Sequence, residues 1–256
     1  MKRYELTHQK NIRDLGGLKT ADGRLIKYGR LFRGGLLSHL TEDDIEIIKS
    51  FHLTDVIDFR DKDEFNDNPC YRLEGVNYHC FPTLNEDKKR SKKDEEDGNL
   101  LWFIGDHSEG HEHMKGCYRM FVENAKSRQS FIDFLKFLEQ EDKVVYFHCS
   151  QGKDRTGFAA YLLEIALGVS DEDAKKDYLL TNIAMEKRVE VYLEKLKDKY
   201  FFNERYRKDL IDVFSAKIEY LEESIKLIEQ NYGSVLNFIT NGLKIDIEKL
   251  RANYLE

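Results

Sequence analysis

The chain has 256 residues, a hydrophobic content of 41%, a charged content of 35% and a formal net charge of −7. That length holds one sizeable α/β domain, or a core with a helical extension, and the apolar share excludes wholesale disorder. The acidic balance lacks the basic excess that drives sequence-independent nucleic-acid binding, so nucleic acid is not an expected partner.

In chain order, MKRYELTHQKNIRDL has no apolar run of the kind a secretory leader carries, and no later stretch approaches the roughly 18 consecutive apolar residues of a membrane span. A soluble, cytoplasmic protein is expected, with export left open. Residues 12–33 alternate apolar and polar positions around Ala21-Asp22-Gly23, predicting a hairpin that leads into a short strand at Leu31-Phe32. Thr41 and Asp44 have capping-box spacing ahead of an amphipathic helix ending near Ser50. TDVIDF (54–59), VNYHCF (76–81) and VVYFH (144–148) read as short strands separated by helical or irregular connections, the pattern of a parallel sheet covered on both faces.

Between residues 84 and 113 the periodicity fails. NEDKKRSKKDEEDG is a mixed-charge run and LLWFIG an apolar patch, so 84–113 is expected to be a lid or insertion. Met114 to Gln140 has helical spacing, divided near NAKSRQS into two helices. A second capping pattern at Ser170 and Asp173 opens a helical C-terminal part, 170–256, broken near Phe201-Asn203, Tyr232-Gly233 and Asn241-Gly242. With no repeat and no flexible linker, residues 1–256 read as a single α/β domain: a central, mainly parallel sheet flanked by helices. The four cysteines, Cys70, Cys80, Cys117 and Cys149, lack CxxC spacing and form no evident disulfide framework, which predicts a free thiol at Cys149.

The chemistry concentrates in HCSQGKDRTG, residues 148–157, which lies between apolar Val144–Phe147 and apolar Phe158–Ile165 and so reads as the bend from a buried strand into a helix. Cys149 and Arg155 bracket five residues. A bare Cys-x5-Arg arises by chance in roughly one such chain in four, so its weight comes from its setting. Gly152 lets the loop turn its backbone N–H groups inward, and the helix start adds its positive dipole end. Such a nest holds a dianionic phosphoryl group without side-chain charge. The same surroundings favour a thiolate at Cys149, a nucleophile at neutral pH. Arg155 is a planar fork of donors that can hold two phosphoryl oxygens as charge spreads over them in the transition state. Thr156 is expected to donate to the Cys149 sulfur when the thiolate departs. Attack by Cys149 and hydrolysis of a phosphocysteine follow as the expected chemistry.

HCSQGKDRTG resembles the phosphate-binding loop of cysteine-dependent phosphatases, and its GKDRTG form is similar to that of the bacterial atypical dual-specificity group of tyrosine and lipid phosphatases. NIRDLGG (11–17) is similar to that group's N-x-R-D-L-G-G signature. GRLFRGG (29–35), DVIDFRDKDEF (55–65), DYLLTN (177–182) and NYGSVLNFI (231–239) extend the likeness in order over nearly the whole chain. The resemblance implies a cysteine-phosphatase-like fold, Cys149 as nucleophile, Arg155 as phosphate clamp, and a cradle built from Ser150, Gln151, Gly152, Lys153 and Asp154. It also implies phosphoprotein substrates, with phosphoinositides as a further class that a lysine charge at Lys153, inside the cradle, would suit.

A general acid must protonate the leaving oxygen and later activate water. In one related phosphatase an aspartate follows the Phe-Pro of the third strand; here CFPTL places Thr83 there, and threonine is no acid at neutral pH. Asp154 is the first candidate, ahead of Glu86 and Asp87, with Asp58 after them. Asn11, Arg13 and Asp14 are expected to form a structural network that fixes the N-terminal hairpin against the loop. Asp58 and Arg60 read as a strand-end ion pair, with Arg60 also able to face the phosphate.

HSEGHEH, with His107, His111 and His113, reads as a solvated segment, and the expected chemistry needs neither a metal nor a cofactor. Trp102 reads as core packing, with capping of the site or contact with lipid as alternatives. Cys80 is an oxidative partner for Cys149 only if the two lie close. Two rival functions remain: a phosphate-binding module without turnover, suggested by Thr83, and sulfur transfer or arsenate reduction, for which no resolving thiol is evident.

Overall fold

The structure is a computed structural model and describes residues 1–83, 110–198 and 203–256. One sheet of six strands carries β1 (Lys2–Tyr4), β2 (Ile12–Asp14), β3 (Leu31–Gly34), β4 (Asp55–Asp58), β5 (Asn77–Cys80) and β6 (Val145–His148) in the order β1-β2-β3-β6-β4-β5. The β3–β6, β6–β4 and β4–β5 pairs are parallel, whereas β1–β2 and β2–β3 are antiparallel. The expected mainly parallel sheet is therefore present, extended at one edge by an antiparallel hairpin. β1 has no counterpart in the sequence reading because its three residues, Lys-Arg-Tyr, show no apolar alternation. Charged residues of this kind are common on a protected sheet edge.

Local chemistry sets the helix starts. α1 (Glu42–Lys49) begins at the complete Thr41–Asp44 capping box, and α2 (Lys62–Asp67) at a second box formed by Asp61 and Glu64. α3 (Gly110–Glu123) and α4 (Ala125–Leu138) divide at the N-cap Asn124. Residues 110–113 therefore open α3, and the rest of the expected lid, 84–109, lies outside the described residues. The loop after β6 leads into α5 (Asp154–Leu167), where every residue except Asp154 and Ile165 is buried. A helix apolar on all sides belongs at the centre of a fold. The C-terminal part adds α6 (Asp171–Leu179), α7 (Thr181–Leu196), α8 (Glu204–Phe214), α9 (Ile218–Tyr232) and the short α10 (Val235–Asn237). A π turn (Phe238–Gly242) and α11 (Ile247–Tyr254) complete it.

Apolar clusters cover both faces of the sheet. Phe59, Phe121, Phe131, Phe134, Phe147 and Phe158 lie in the larger one, while Ile12, Phe32, Ile48, Phe51, Val56 and Tyr146 lie on the opposite side with α1. The C-terminus is tied to the N-terminal hairpin by reciprocal Leu25–Glu256 backbone bonds of 2.9 Å. Among the described residues no helix is long and apolar enough to cross a membrane. For function, the placement of β6 matters most. Its last residue, His148, lies level with Gly34 of β3 and Asp58 of β4, so three parallel strand ends converge where the loop begins. Ligands of α/β sheets bind outside such carboxyl ends.

Candidate active site

Cys149 directly follows β6 and is 3% exposed. The loop beyond it turns at Gly152, which has φ +68°, and a Cβ there would lie 2.3 Å from the carbonyl of Gly34. Only glycine meets both demands. Asn11, just before β2, donates from Nδ2 to the carbonyls of both Gln151 and Gly152 at 3.0 Å, and Arg33 Nη2 donates to the Gly152 carbonyl at 3.3 Å. A trans peptide sets its N–H opposite its C=O. Holding these two carbonyls on the Asn11 side therefore turns the N–H groups of Gly152 and Lys153 the other way. N–H groups held to one side of a loop are what an anion-binding nest requires.

Asn11 is itself held by a buried ionic cluster. Arg13 donates to Asn11 Oδ1 at 2.8 Å and to Asp177 Oδ1 at 2.6 Å, and Arg33 donates to Asp177 Oδ2. Burial would raise the Asp177 carboxyl, but Arg13 and Arg33 outweigh it and bring it down to about 2. Glu164, on α5, behaves oppositely: burial, reinforced by the charge of Asp177, pushes it well above the usual carboxylate range. Arg13 and Arg33 thus share the single Asp177 carboxylate behind Asn11. Asp14 instead accepts from the N–H groups of Gly16 and Gly29 and fixes the hairpin, away from the loop.

Arg155, 9% exposed, is the second residue of α5. Its Nη1 and Nη2 donate to Glu64 Oε2 and Oε1 at 2.5 and 2.8 Å, a two-pronged pair that fixes the guanidinium plane. Nη2 also donates to Ser150 Oγ at 3.5 Å, which still leaves N–H groups of the five for phosphoryl oxygens. Burial alone would raise the Glu64 carboxyl; the Arg155 charge and hydrogen bonds outweigh it and hold Glu64 far below its ordinary range. Ser150 Oγ also donates to Glu64, at 2.7 Å. Arg60 donates to Asp58 through Nε and Nη2 and to the carbonyls of Glu64 and Asn68 through Nη1. The Asp58–Arg60 pair thus ties α2 to β4 and so steadies Glu64. Asp58 accepts these bonds and is held below its ordinary range despite burial.

The remaining predicted residues fall in several places. Asp154 opens α5 with its side chain 26% exposed, accepting from the Tyr118 hydroxyl at 3.1 Å. Lys153 departs from expectation: its ammonium donates to the carbonyls of Val213 and Ser215 and lies 3.3 Å from Asp154 Oδ1. The negative end of α8 draws the cation there, so the lysine charge is engaged by those carbonyls and by Asp154. The Thr156 hydroxyl is fully buried and makes no hydrogen bond among the described residues. Thr83 is buried, with its N–H on the Phe59 carbonyl, and its own carbonyl receives the Ser127 hydroxyl; it serves as a packing residue.

Cys80 and Cys149 are both free, and the Cys80 thiol faces the Arg60 carbonyl at 3.5 Å. His111 packs 5.1 Å from the Tyr220 ring. Glu86, Asp87, Trp102 and His107 lie outside the described residues. Among the described residues no three His, Cys, Asp or Glu side chains gather to hold a metal ion. A cavity of about 700 Å³ adjoins the loop at Ser150 and Gln151 and is lined by Arg60, Glu64, Arg188, His8 and His39.

Sequence reasoning did not assign Glu64, Arg33, Asp177 or Tyr118 to the site. Glu64 had one local signal, the Asp61-x-x-Glu64 capping pattern directly after a strand. Glu64, Arg33 and Asp177 all lay inside motifs noted for resemblance, without a role.

A provisionally named tyrosine-protein phosphatase of Cupriavidus necator is 29% identical over 254 residues, covering 96% of this chain and 85% of that protein. The triple specificity protein phosphatase PtpB of Mycobacterium tuberculosis is 26% identical over 258 residues, covering 92% of each chain. The core catalytic domain of the S. cerevisiae PP-IP phosphatase SIW14 aligns with 9% identity and a TM-score of 0.37 over 75% of this chain and 96% of its own, too weak a likeness to argue from. The sequence profile of the tyrosine phosphatase family matches residues 4–256. The chain therefore belongs to the tyrosine phosphatase family and is a phosphoric monoester hydrolase.

Proposed function

We propose that this chain hydrolyses phosphomonoesters through Cys149, with a phosphocysteine intermediate. The observation that carries the reading is the Cys149–Arg155 loop, closed at Gly152 and aimed by Asn11, at the end of β6. Cys149 Sγ attacks phosphorus as a thiolate; the S–P bond forms while the bond to the leaving oxygen breaks. Asp154 gives that oxygen its proton. Asp154 then takes a proton from water, whose oxygen attacks phosphorus, and the S–P bond breaks to release phosphate and the Cys149 thiolate. Inward N–H groups and Arg155 hold the equatorial oxygens through both steps.

Phosphoproteins are the proposed first substrate class, phosphotyrosine before phosphoserine and phosphothreonine. Phosphoinositides are the second, supported by Arg188, His8 and His39 around the cavity beside the loop, which Glu64 and Asp67 also line. The relative PtpB is named a triple specificity protein phosphatase, which is compatible with breadth of this kind.

The test is phosphate release from a panel of phosphotyrosine, phosphoserine and phosphothreonine peptides and soluble phosphoinositides, with chelator present, for wild type and Cys149→Ser. Release that survives chelator and disappears in the variant is expected, and the ranking of the panel assigns the substrate class. Release by Cys149→Ser at the wild-type rate contradicts the mechanism. Tight binding of phosphopeptides without release from any member favours the phosphate-binding module.

A further inference from the structure

Two buried tyrosines outside the loop form a chain that ends on the proposed acid. Tyr118 of α3 and Tyr178 of α6 are each 0% exposed, and their hydroxyl oxygens are 2.7 Å apart. Tyr118 donates to Asp154 Oδ1 at 3.1 Å. A phenol has a single hydrogen to donate. Because Tyr118 gives its own to Asp154, the hydrogen between the two tyrosines comes from Tyr178, and the chain runs Tyr178 to Tyr118 to Asp154.

Both contacts on the carboxylate fall on one oxygen. Lys153 Nζ lies 3.3 Å from Oδ1, the oxygen that Tyr118 holds, while Oδ2 has no hydrogen-bond partner among the described residues. The groups on Asp154 are Lys153, the residue before it, and Tyr118 from α3, with Tyr178 from α6 behind Tyr118. The tyrosine chain is rigid. The Tyr118 ring lies 5.0 Å from Phe121 and meets Tyr178 edge-on at 85°, and the Tyr118 carbonyl receives the Ser224 hydroxyl at 2.6 Å. Gly157 leaves room for the Tyr178 ring, since a Cβ there would approach it to 2.9 Å. The terminal torsion of an aspartate is otherwise broad, so an unanchored carboxylate samples many orientations.

We propose that Tyr118, backed by Tyr178, is a positioning residue for Asp154: it anchors Oδ1 so that Oδ2 is presented to the leaving oxygen. This inference rests on the reading of Asp154 as the acid. It also gives DYLLTN a physical meaning, because Asp177 steadies the cradle through Arg13 and Arg33 while its neighbour Tyr178 steadies the acid.

The test compares kcat and KM of wild type, Asp154→Asn, Tyr118→Phe and Tyr178→Phe on two aryl phosphates. Phenyl phosphate needs a proton on its leaving oxygen, and dinitrophenyl phosphate does not. Asp154→Asn is expected to lose about 10²- to 10⁴-fold in kcat on phenyl phosphate and little on dinitrophenyl phosphate. Tyr118→Phe is expected to lose about fivefold to tenfold on phenyl phosphate alone, the worth of one hydrogen bond, with KM unchanged. Tyr178→Phe shows the same selectivity at smaller size, and it decides the matter if Tyr118→Phe does not fold. Equal losses on both substrates for the tyrosine variants, or no loss beside a selective Asp154→Asn, overturn the role of Tyr118. An Asp154→Asn variant that loses nothing on phenyl phosphate overturns the acid itself.

Discussion

Replacing Asn11 with alanine tests whether the cradle is aimed from outside the loop. The side chain makes two 3.0 Å bonds to the carbonyls of Gln151 and Gly152 and accepts one at 2.8 Å from Arg13. Neutral bonds contribute about 1 kcal/mol each and one from a charged donor about 1.5–3 kcal/mol, so Asn11→Ala should cost about 3–5 kcal/mol, less any coupling among the three. The kinetic loss is a separate matter. Freed from Asn11, the two peptide planes can rotate and their N–H groups lose aim. A fully lost oxyanion donor costs about 10²–10³ in kcat, so partial loss of two should cost about ten- to a hundredfold. Urea unfolding reads the first quantity; kcat on an aryl phosphate and inhibition by orthovanadate, an oxyanion that lodges in the same cradle, read the second. A variant that is destabilised as expected, yet keeps wild-type kcat and vanadate affinity, refutes the claim that Asn11 aims the cradle.

Glu64→Gln should release the Arg155 guanidinium from its two-pronged anchor, raising KM for aryl phosphates and lowering kcat by about tenfold or more, checked by steady-state kinetics. Asp177→Asn should cost about 3–5 kcal/mol by urea unfolding, because two buried arginines lose their counter-charge. The folded Asp177 carboxyl titrates at about 2, against an ordinary 3.8, so its contribution is complete above the ordinary value and is lost as pH falls from there toward 2. A pH series of melting temperatures should show this acid limb in wild type and a flatter one in Asp177→Asn. Glu164 has the opposite sign: raised in the folded state, it costs stability once pH rises past its ordinary 4.5, where the unfolded chain ionises and the folded one does not. Glu164→Gln should therefore be neutral or stabilising in thermal melts near pH 7. Gly152→Ala should abolish vanadate binding and turnover, since the position has φ +68° and no room before the Gly34 carbonyl.

The elements that β6 and its loop require were readable because their signals are local. Apolar runs such as VVYFH and TDVIDF, the Thr41–Asp44 cap, and Cys149, Gly152 and Arg155 in one decapeptide each depend on a few neighbouring residues. The partners of those residues were not readable for the converse reason. Glu64 meets Arg155 across 91 positions, Asp177 meets Arg13 across 164 and Tyr118 meets Asp154 across 36. Side chains that complete a buried polar network are selected by the fold, and nothing in the spacing around them announces it. Lys153 shows the limit most plainly: its place beside Cys149 in sequence suggested charge inside the cradle, whereas packing of α8 offered it free helix-end carbonyls instead.

Whether phosphate passes through Cys149 is the central question of the mechanism. Wild-type protein mixed with a phosphotyrosine peptide and quenched in acid within milliseconds should carry one phosphoryl group on the peptide containing Cys149, found by mass spectrometry. Asp154→Asn should not shed that group faster than wild type, because hydrolysis needs the base. A phosphoryl group on any other residue, or turnover by Cys149→Ser with none trapped, would contradict the mechanism.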